Sequence, residues 1–101
     1  MLRITLLREP GPPMLKLEGK LSGPWVPELE RSWNECLNEG VARPVQVDLS
    51  EVTFISTEGE TLLKTMFQQG ADLQSRSLMT RFIIKQIKNG SNGNHNTGNG
   101  G

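Results

Sequence analysis

The spacing of apolar residues switches repeatedly between two periods, and this constrains the fold more than any other feature of the chain. Segments in which every second residue is apolar are typical of strands with one buried face. Segments in which apolar residues recur every three or four positions are typical of helices. Taken in order, the segments predict the elements β-β-α-β-α-β-α. This order indicates an α/β fold, with about three helices and a mixed, mostly parallel sheet of about four strands.

Two alternating segments near the N-terminus predict a β-hairpin. Residues 2–8 and 15–21 each place apolar side chains at alternate positions. Between them, residues 10–13 read Pro-Gly-Pro-Pro, which favours a turn because proline fixes φ and lacks a backbone donor. Residues 24–39 then carry apolar side chains at helical spacing, and Gly40 predicts the end of that helix. We therefore expect a strand pair followed by a helix.

The middle of the chain predicts a third strand and a second helix that are joined by a loop. Residues 44–49 alternate, and residues 50–56 are interpreted as a loop whose apolar side chains pack onto the core. The next four residues, Thr57-Glu58-Gly59-Glu60, match the capping box. In this motif a hydroxyl and a carboxylate three residues later satisfy free backbone amides at the start of a helix. Gly70 predicts the end of the second helix.

The C-terminal part predicts a short fourth strand at residues 71–75 and a third helix at residues 77–88. The basic residues of this part are Arg76, Arg81, Lys85 and Lys88. We interpret them as the solvated face of the last helix. Residues 89–101 contain only polar residues and glycine. We therefore expect one folded domain, residues 1–88, followed by a flexible Gly/Asn-rich tail, residues 89–101.

The composition argues against several classes of function. Eleven basic and eleven acidic residues leave no net charge, so no long-range field would recruit nucleic acid or an anionic membrane. Cys36 is the only cysteine and His95 the only histidine, which predicts neither a disulfide nor a metal site. No apolar run is long enough for membrane insertion, and no signal peptide is recognisable. These features predict a cytoplasmic protein.

No combination of side chains in the sequence matches a catalytic arrangement. The chain has no tyrosine, and its one histidine lies in the predicted tail. It also contains no glycine-rich phosphate-binding motif. Glu51, Glu58 and Glu60 are interpreted as solvated carboxylates near the positive end of a helix. We therefore predict that the protein is not an enzyme, has no catalytic residues and needs no cofactor. Trp25, in the entry turn of the first helix, fits either core packing or contact with a partner.

The segment at residues 47–59, Val-Asp-Leu-Ser-Glu-Val-Thr-Phe-Ile-Ser-Thr-Glu-Gly, resembles the signature of STAS domains. These domains occur in anti-sigma factor antagonists and sulfate transporters. In this family an Asp-Leu-Ser-like turn and a hydrophobic pair precede Asp-Ser-x-Gly or Asp-Thr-x-Gly, which opens a helix. Residues 15–21 and 70–73 are similar to two further segments of the family. The resemblance thus covers roughly residues 2–88 and implies a short STAS-like variant.

The resemblance implies a regulatory protein-binding module of bacterial transcription control. Its partner would be a serine/threonine switch kinase or anti-sigma factor. In the antagonist branch that kinase phosphorylates the serine or threonine after the motif aspartate, which by position is Thr57 here. The implied partner-binding surface, to which we add one aromatic candidate, comprises Ser56, Thr57, Glu58, Gly59, Thr61, Lys64 and Trp25.

Two departures from the family pattern leave alternatives open. Ser56 stands where the family has aspartate, and Glu58 places a carboxylate on the other side of Thr57. Either this charge mimics a permanently modified state, or phosphorylation has been lost and only the binding fold remains. The alternative function is a non-phosphorylated STAS-like scaffold subunit of a larger signalling or transport complex. A third hypothesis is nucleotide or anion binding at the helix start.

The second departure concerns the end of the domain. Family members commonly continue with another strand and helix, whereas this chain passes into its polar tail. The strand at residues 71–75 is therefore expected to form an open sheet edge, which favours pairing with a partner or a second copy. A homodimer is a hypothesis on this ground.

Overall fold

The computed structural model describes residues 1–8 and 11–97, of which 91–97 are described by backbone alone. Its elements are β1 (Leu2–Leu7), β2 (Met14–Leu21), α1 (Trp25–Asn38), β3 (Val45–Ile55), α2 (Thr57–Gln68), β4 (Ala71–Gln74) and α3 (Leu78–Thr97). This is the predicted order of strands and helices. Part of the predicted turn between the first two strands, Pro10, lies outside the described residues.

The four strands form one sheet in the order β1-β2-β3-β4. β1 and β2 are antiparallel, whereas the β2–β3 and β3–β4 pairs are parallel. The mixed, mostly parallel sheet that the sequence predicts is therefore confirmed. Because parallel neighbours end at the same edge, the starts of α1 and α2 lie side by side beyond the ends of β2 and β3.

Alternation along the strands places the core on one face of the sheet. In β2, Leu15 and Leu17 are buried and alternate with half-buried Lys16 and Glu18. The three helices cover the buried face, and their side chains join those of the strands in one cluster. The helical members of the core are Leu29, Trp33 and Cys36 of α1, Leu62, Leu63 and Met66 of α2, and Ile84 and Ile87 of α3. Trp33 is anchored there by an indole N–H that donates to the Gln69 side-chain oxygen at 2.7 Å.

The loop predicted at residues 50–56 is wrong, because β3 continues through it to Ile55. Two irregularities in the pairing of β2 with β3 explain the error. At each of them β3 contains an extra residue: Lys16 and Glu18 pair with Asp48 and Glu51, for example. Such bulges interrupt the alternation of side chains while the strand continues. The period of two therefore disappears from the sequence before the strand ends.

The last helix also differs from its prediction, since α3 continues beyond Lys88 to Thr97. The sequence predicts only the part of a helix that presents an apolar stripe. Once a helix has formed, each further residue adds one backbone hydrogen bond and needs no apolar side chain. The domain boundary at residue 88 and the flexibility of residues 89–101 stay predictions.

Candidate functional site

The candidate site lies where β3 passes into α2. The amide of Ser56 donates to the carbonyl oxygen of Leu21, the last residue of β2, at 2.9 Å. This hydrogen bond extends the β2–β3 pairing by one step and fixes the start of α2 beside the end of β2. We call residues 56–61 the β3–α2 junction.

Ser56 caps α2. Its backbone is extended, with φ −75° and ψ 170°, and its Oγ accepts a hydrogen bond from the Gly59 amide at 3.0 Å. Serine is among the preferred residues at this position because its oxygen satisfies an amide that the helix leaves free. The capping box predicted at Thr57 and Glu60 is therefore wrong by one residue. Thr57 already has helical conformation and cannot serve as the cap.

Gly59 is buried in the first turn of α2 and packs against β2. A Cβ atom at this position would lie 2.9 Å from both the carbonyl oxygen and the Cγ of Leu21. Contacts this short force neighbouring atoms to move. The glycine therefore permits the close approach of helix and strand, and its buried position makes it unsuited to contact a partner directly.

Thr57 is the first residue of α2 and is exposed. Its carbonyl oxygen accepts a hydrogen bond from the Thr61 hydroxyl at 3.1 Å, whereas the cap of the helix is made by its neighbour Ser56. Glu58 is exposed beside it. The junction thus presents a hydroxyl and a carboxylate to solvent at the positive end of a helix dipole.

A shallow groove of about 270 Å³ extends from Thr57 between α2 and α3. Thr61 is exposed and Lys64 half-buried, and both line it. We call it the α2–α3 groove; its lining residues are Thr57, Glu60, Thr61, Lys64, Gln86, Ile87 and Gly90. Sequence reasoning missed the contribution of α3, because no local signal connects it with a helix start some thirty positions earlier.

Trp25 does not line the α2–α3 groove. It is the first residue of α1, is half-buried and packs against the core. Its amide donates to the carbonyl oxygen of Ser22 at 3.1 Å, within the turn that follows β2. The structure therefore favours the packing role for this side chain, although part of the ring remains accessible.

Outside the junction, Cys36 and Asp48 are among the groups whose pKa values are shifted. Burial raises the pKa of the Cys36 thiol, which keeps it protonated and unreactive. Partial burial acts to raise the pKa of Asp48. This is outweighed by hydrogen bonds from Ser50, whose amide donates at 2.9 Å, and by nearby Arg76, so the pKa of Asp48 is lowered.

The described residues provide no cluster of metal-ligating side chains. Nor does any helix in residues 1–8 and 11–97 combine the length and the apolar character needed to cross a bilayer. The groups that the candidate site offers are the hydroxyls of Thr57 and Thr61, the carboxylates of Glu58 and Glu60, and the ammonium group of Lys64.

Comparison with known proteins identifies the fold. No family model and no curated protein matches the sequence. Among solved structures, the crystal structure of an anti-sigma factor antagonist from Mycobacterium paratuberculosis superposes with a TM-score of 0.74 at 19% sequence identity. The match covers 87% of this chain and 79% of that one. The chain therefore shares the STAS-like α/β fold of this structure, and the resemblance predicted from the sequence is confirmed at the level of the fold.

Proposed function

We propose that this protein is a regulatory binding module of the anti-sigma factor antagonist type. In this proposal it engages a serine/threonine switch kinase or anti-sigma factor through the β3–α2 junction, and phosphorylation of Thr57 controls the binding. The observation that carries the proposal is the position of Thr57. Its side chain is exposed at the first residue of α2, while Ser56 makes the cap.

Ser56 and Thr57 have different roles at the junction, and this difference supports regulation at Thr57. Because the Ser56 hydroxyl satisfies the Gly59 amide, a kinase could modify Thr57 without removing the hydrogen bond that starts the helix. The serine that replaces the family aspartate thus retains a capping function, since aspartate and serine are both favoured caps. The departure at position 56 is compatible with an intact junction.

Charge provides the means of control. A phosphate on Thr57 would add about −1.5 to −2 charges beside the exposed carboxylate of Glu58. Facing like charges across an interface cost several kcal/mol, so a partner with an acidic surface here would be released. The free amides of the first turn would favour the added phosphate within the protein itself. Modification would therefore weaken binding without unfolding the helix.

The proposed role also accords with the expectations about location, catalysis, cofactors and nucleic acid. A switch kinase or anti-sigma factor that acts on bacterial transcription operates in the cytoplasm, where we place this chain. The module would act by binding rather than by catalysis, and would need neither a cofactor nor nucleic acid. The similar structure from Mycobacterium paratuberculosis is that of an anti-sigma factor antagonist.

The test is phosphate transfer from a kinase co-purified from the native cell. Radiolabelled ATP should label the wild-type chain, and Thr57→Ala should abolish the labelling. Thr65→Ala is the matched control, because Thr65 is also an exposed threonine of α2, two turns further along. Labelling that is undiminished in Thr57→Ala, or lost only in Thr65→Ala, would place the acceptor elsewhere and contradict the proposal.

A second candidate function is favoured by the carboxylates around Thr57. Glu58 is exposed and Glu60 lines the α2–α3 groove, so the junction carries negative charge before any modification. This arrangement suits a scaffold subunit that binds its complex without regulation by phosphate. Co-purification with a larger assembly that phosphatase treatment and Thr57→Ala both leave intact would favour this second function.

A further inference from the structure

β4 forms one edge of the sheet and has an unused set of backbone hydrogen-bonding groups. Within the described residues it pairs only with β3. The Gly70 carbonyl accepts from the Val45 amide at 3.2 Å, so backbone groups at this position and every second one after it point toward β3. Alternation then directs the N–H and C=O groups of Ala71 and Leu73 away from the sheet. Such an edge can accept a further strand.

A groove runs between this edge and α3. Its volume is about 730 Å³, which is within the range of roughly 300–1,000 Å³ that is usual for ligand pockets. We call it the β4–α3 groove. Its apolar lining includes Leu73, Leu78 and Phe82. Leu78 is 81% and Phe82 61% exposed, although both belong to a helix whose buried face is already occupied by other residues. Exposed apolar side chains that cluster in this way mark interaction sites.

The charged side chains that line the β4–α3 groove are all basic. Arg81, Lys85 and Lys88 follow one another at helical spacing along the side of α3 that borders it. Within the described residues, none of the three forms a salt bridge. The interpretation of these residues as a merely solvated face overlooks that they lie beside Leu78, Phe82 and an unpaired strand edge.

The charge pattern decides between two occupants of the groove. If two copies paired symmetrically through β4, each would bring its own Arg81, Lys85 and Lys88 to the same interface. Like charges that face each other in this way oppose association. A segment with carboxylates would instead complement all three cations. The charges therefore favour a foreign acidic chain over a second copy.

We propose that the β4–α3 groove binds an extended acidic segment of a partner protein, which adds to β4 as a fifth strand. Its backbone would pair with Ala71 and Leu73. In a strand, side chains alternate between two faces, so apolar side chains on one face would pack on Leu78 and Phe82. Carboxylates at other positions on that same face of the added strand would reach Arg81 and Lys85. This mode of recognition combines backbone pairing for affinity with alternate pockets for specificity.

This surface is separate from the one proposed for regulation. The α2–α3 groove is lined by Gln86 and Ile87, whereas the β4–α3 groove is lined by Phe82 and Lys85 on another side of the same helix. Two proteins could therefore be bound at once. The failure of one proposal would leave the other unaffected, because Thr57 does not line the β4–α3 groove.

The experiment selects peptides from a random displayed library on the full chain, with a Phe82→Ser/Lys85→Glu variant as the counter-selection target. Both substitutions are at exposed positions, and the circular dichroism spectrum should remain that of the wild type. We expect enrichment of sequences in which apolar and acidic residues share every second position, so that both kinds of side chain face α3. One selected peptide is then synthesised with and without N-methyl groups on alternate amides.

Fluorescence anisotropy should show that N-methylation abolishes binding of that peptide. Lys85→Glu should weaken binding about tenfold or more, as expected for reversing a charge that faces a carboxylate. The control Lys20→Glu makes the same exchange at an exposed position of β2 and should leave the affinity unchanged.

Four results would overturn the proposal. The first is that peptides selected on the wild type and on the Phe82→Ser/Lys85→Glu variant have the same composition. The second is that N-methylation of the selected peptide does not change its affinity. The third is a monomer–dimer equilibrium in sedimentation that Phe82→Ser removes, which would assign the groove to a second copy. The fourth is binding of the protein to phosphatidylserine-containing vesicles at a protein concentration at which it does not bind the selected peptide. That result would assign the β4–α3 groove to a membrane surface.

Discussion

At the β3–α2 junction Ser56 and Gly59 have defined structural partners, whereas along the β4–α3 groove the large side chains of Leu78 and Phe82 are mostly exposed. Ser56 caps the helix and Gly59 meets Leu21 so closely that no Cβ fits. On the outer side of α3, Leu78 and Phe82 remain mostly exposed. Both regions are built from the first turns of a helix and the end of a neighbouring strand.

The difference separates residues that the fold needs from residues that are available to a partner. At the junction, structural and exposed residues are interspersed. Ser56 and Gly59 maintain the start of the helix, and Thr57 and Glu58 between them are exposed. At the groove, the exposed residues form a continuous surface. Substitutions should therefore change stability at the junction in a residue-specific manner, and should change it little at the groove.

The largest effect is expected from Gly59→Ala. The new Cβ would overlap Leu21, and overpacking typically costs about 1–3 kcal/mol. The gain from replacing a helical glycine by alanine, up to about 1 kcal/mol, offsets only part of this. Urea denaturation should show a lower free energy of unfolding. Gly90→Ala is the control, since a Cβ there has no neighbour within 4 Å. If both variants were stabilised alike, the close packing at the junction would be refuted.

A smaller effect should distinguish the two adjacent hydroxyl residues. Ser56→Ala removes the capping oxygen and should lower the free energy of unfolding by about 1 kcal/mol. Thr57→Ala leaves the cap intact and should change it by less than about 0.5 kcal/mol, as at most exposed positions. Thermal denaturation of the two variants side by side measures the contrast. Equal losses would mean that position 57 is structural, and the comparison would then fail.

The smallest effect concerns Asp48, which lies on β3 and lines a surface depression together with Arg76 near the end of β4. Its pKa is lower in the folded protein than its ordinary value of 3.8. The stability that it contributes is therefore present above about pH 3.8 and is lost as the pH falls through the folded-state pKa. Asp48→Asn should flatten the loss of stability in this acidic range and leave the profile near neutrality parallel to the wild type. An unchanged acid limb would show that the interactions with Ser50 and Arg76 contribute nothing.

Much of the fold could be predicted because its signals are local. The alternation in β2 and the stripe in α1 each depend on contiguous residues, and the order of elements then determines a mostly parallel sheet. Where β3 contains its bulges, the same rule failed, since the extra residues are defined only by their pairing with β2. The helix start was located correctly, but the capping residue was not. Ser56 and Thr57 are adjacent and both carry a hydroxyl, and only the extended backbone at Ser56 identifies it as the cap.

The two grooves could not have been predicted from the sequence, because both depend on how α3 packs. The exposed fraction of Phe82 follows from the contacts of α3 with α2 and the sheet, which no local pattern encodes. From the sequence, the apolar residues Leu78, Met79, Phe82, Ile83 and Ile87 are expected to face the core. In the structure Ile87 is buried as expected, whereas Leu78, Met79 and Phe82 are exposed and Ile84 is buried instead. Helical spacing in a sequence identifies the apolar side chains of a helix, but it does not show which of them pack against another element.

The bulges of β3 have a consequence for the length of the chain in this region. Residues 14–21 of β2 are matched by residues 46–55 of β3, so two additional residues are accommodated before the helix begins. Loss of one of them would turn every later side chain of the strand to the opposite face and draw Ser56 away from Leu21. A single-residue deletion between Asp48 and Thr57 should thus damage the protein more than most substitutions. The number of residues between these two positions is set by the pairing of β3 with β2.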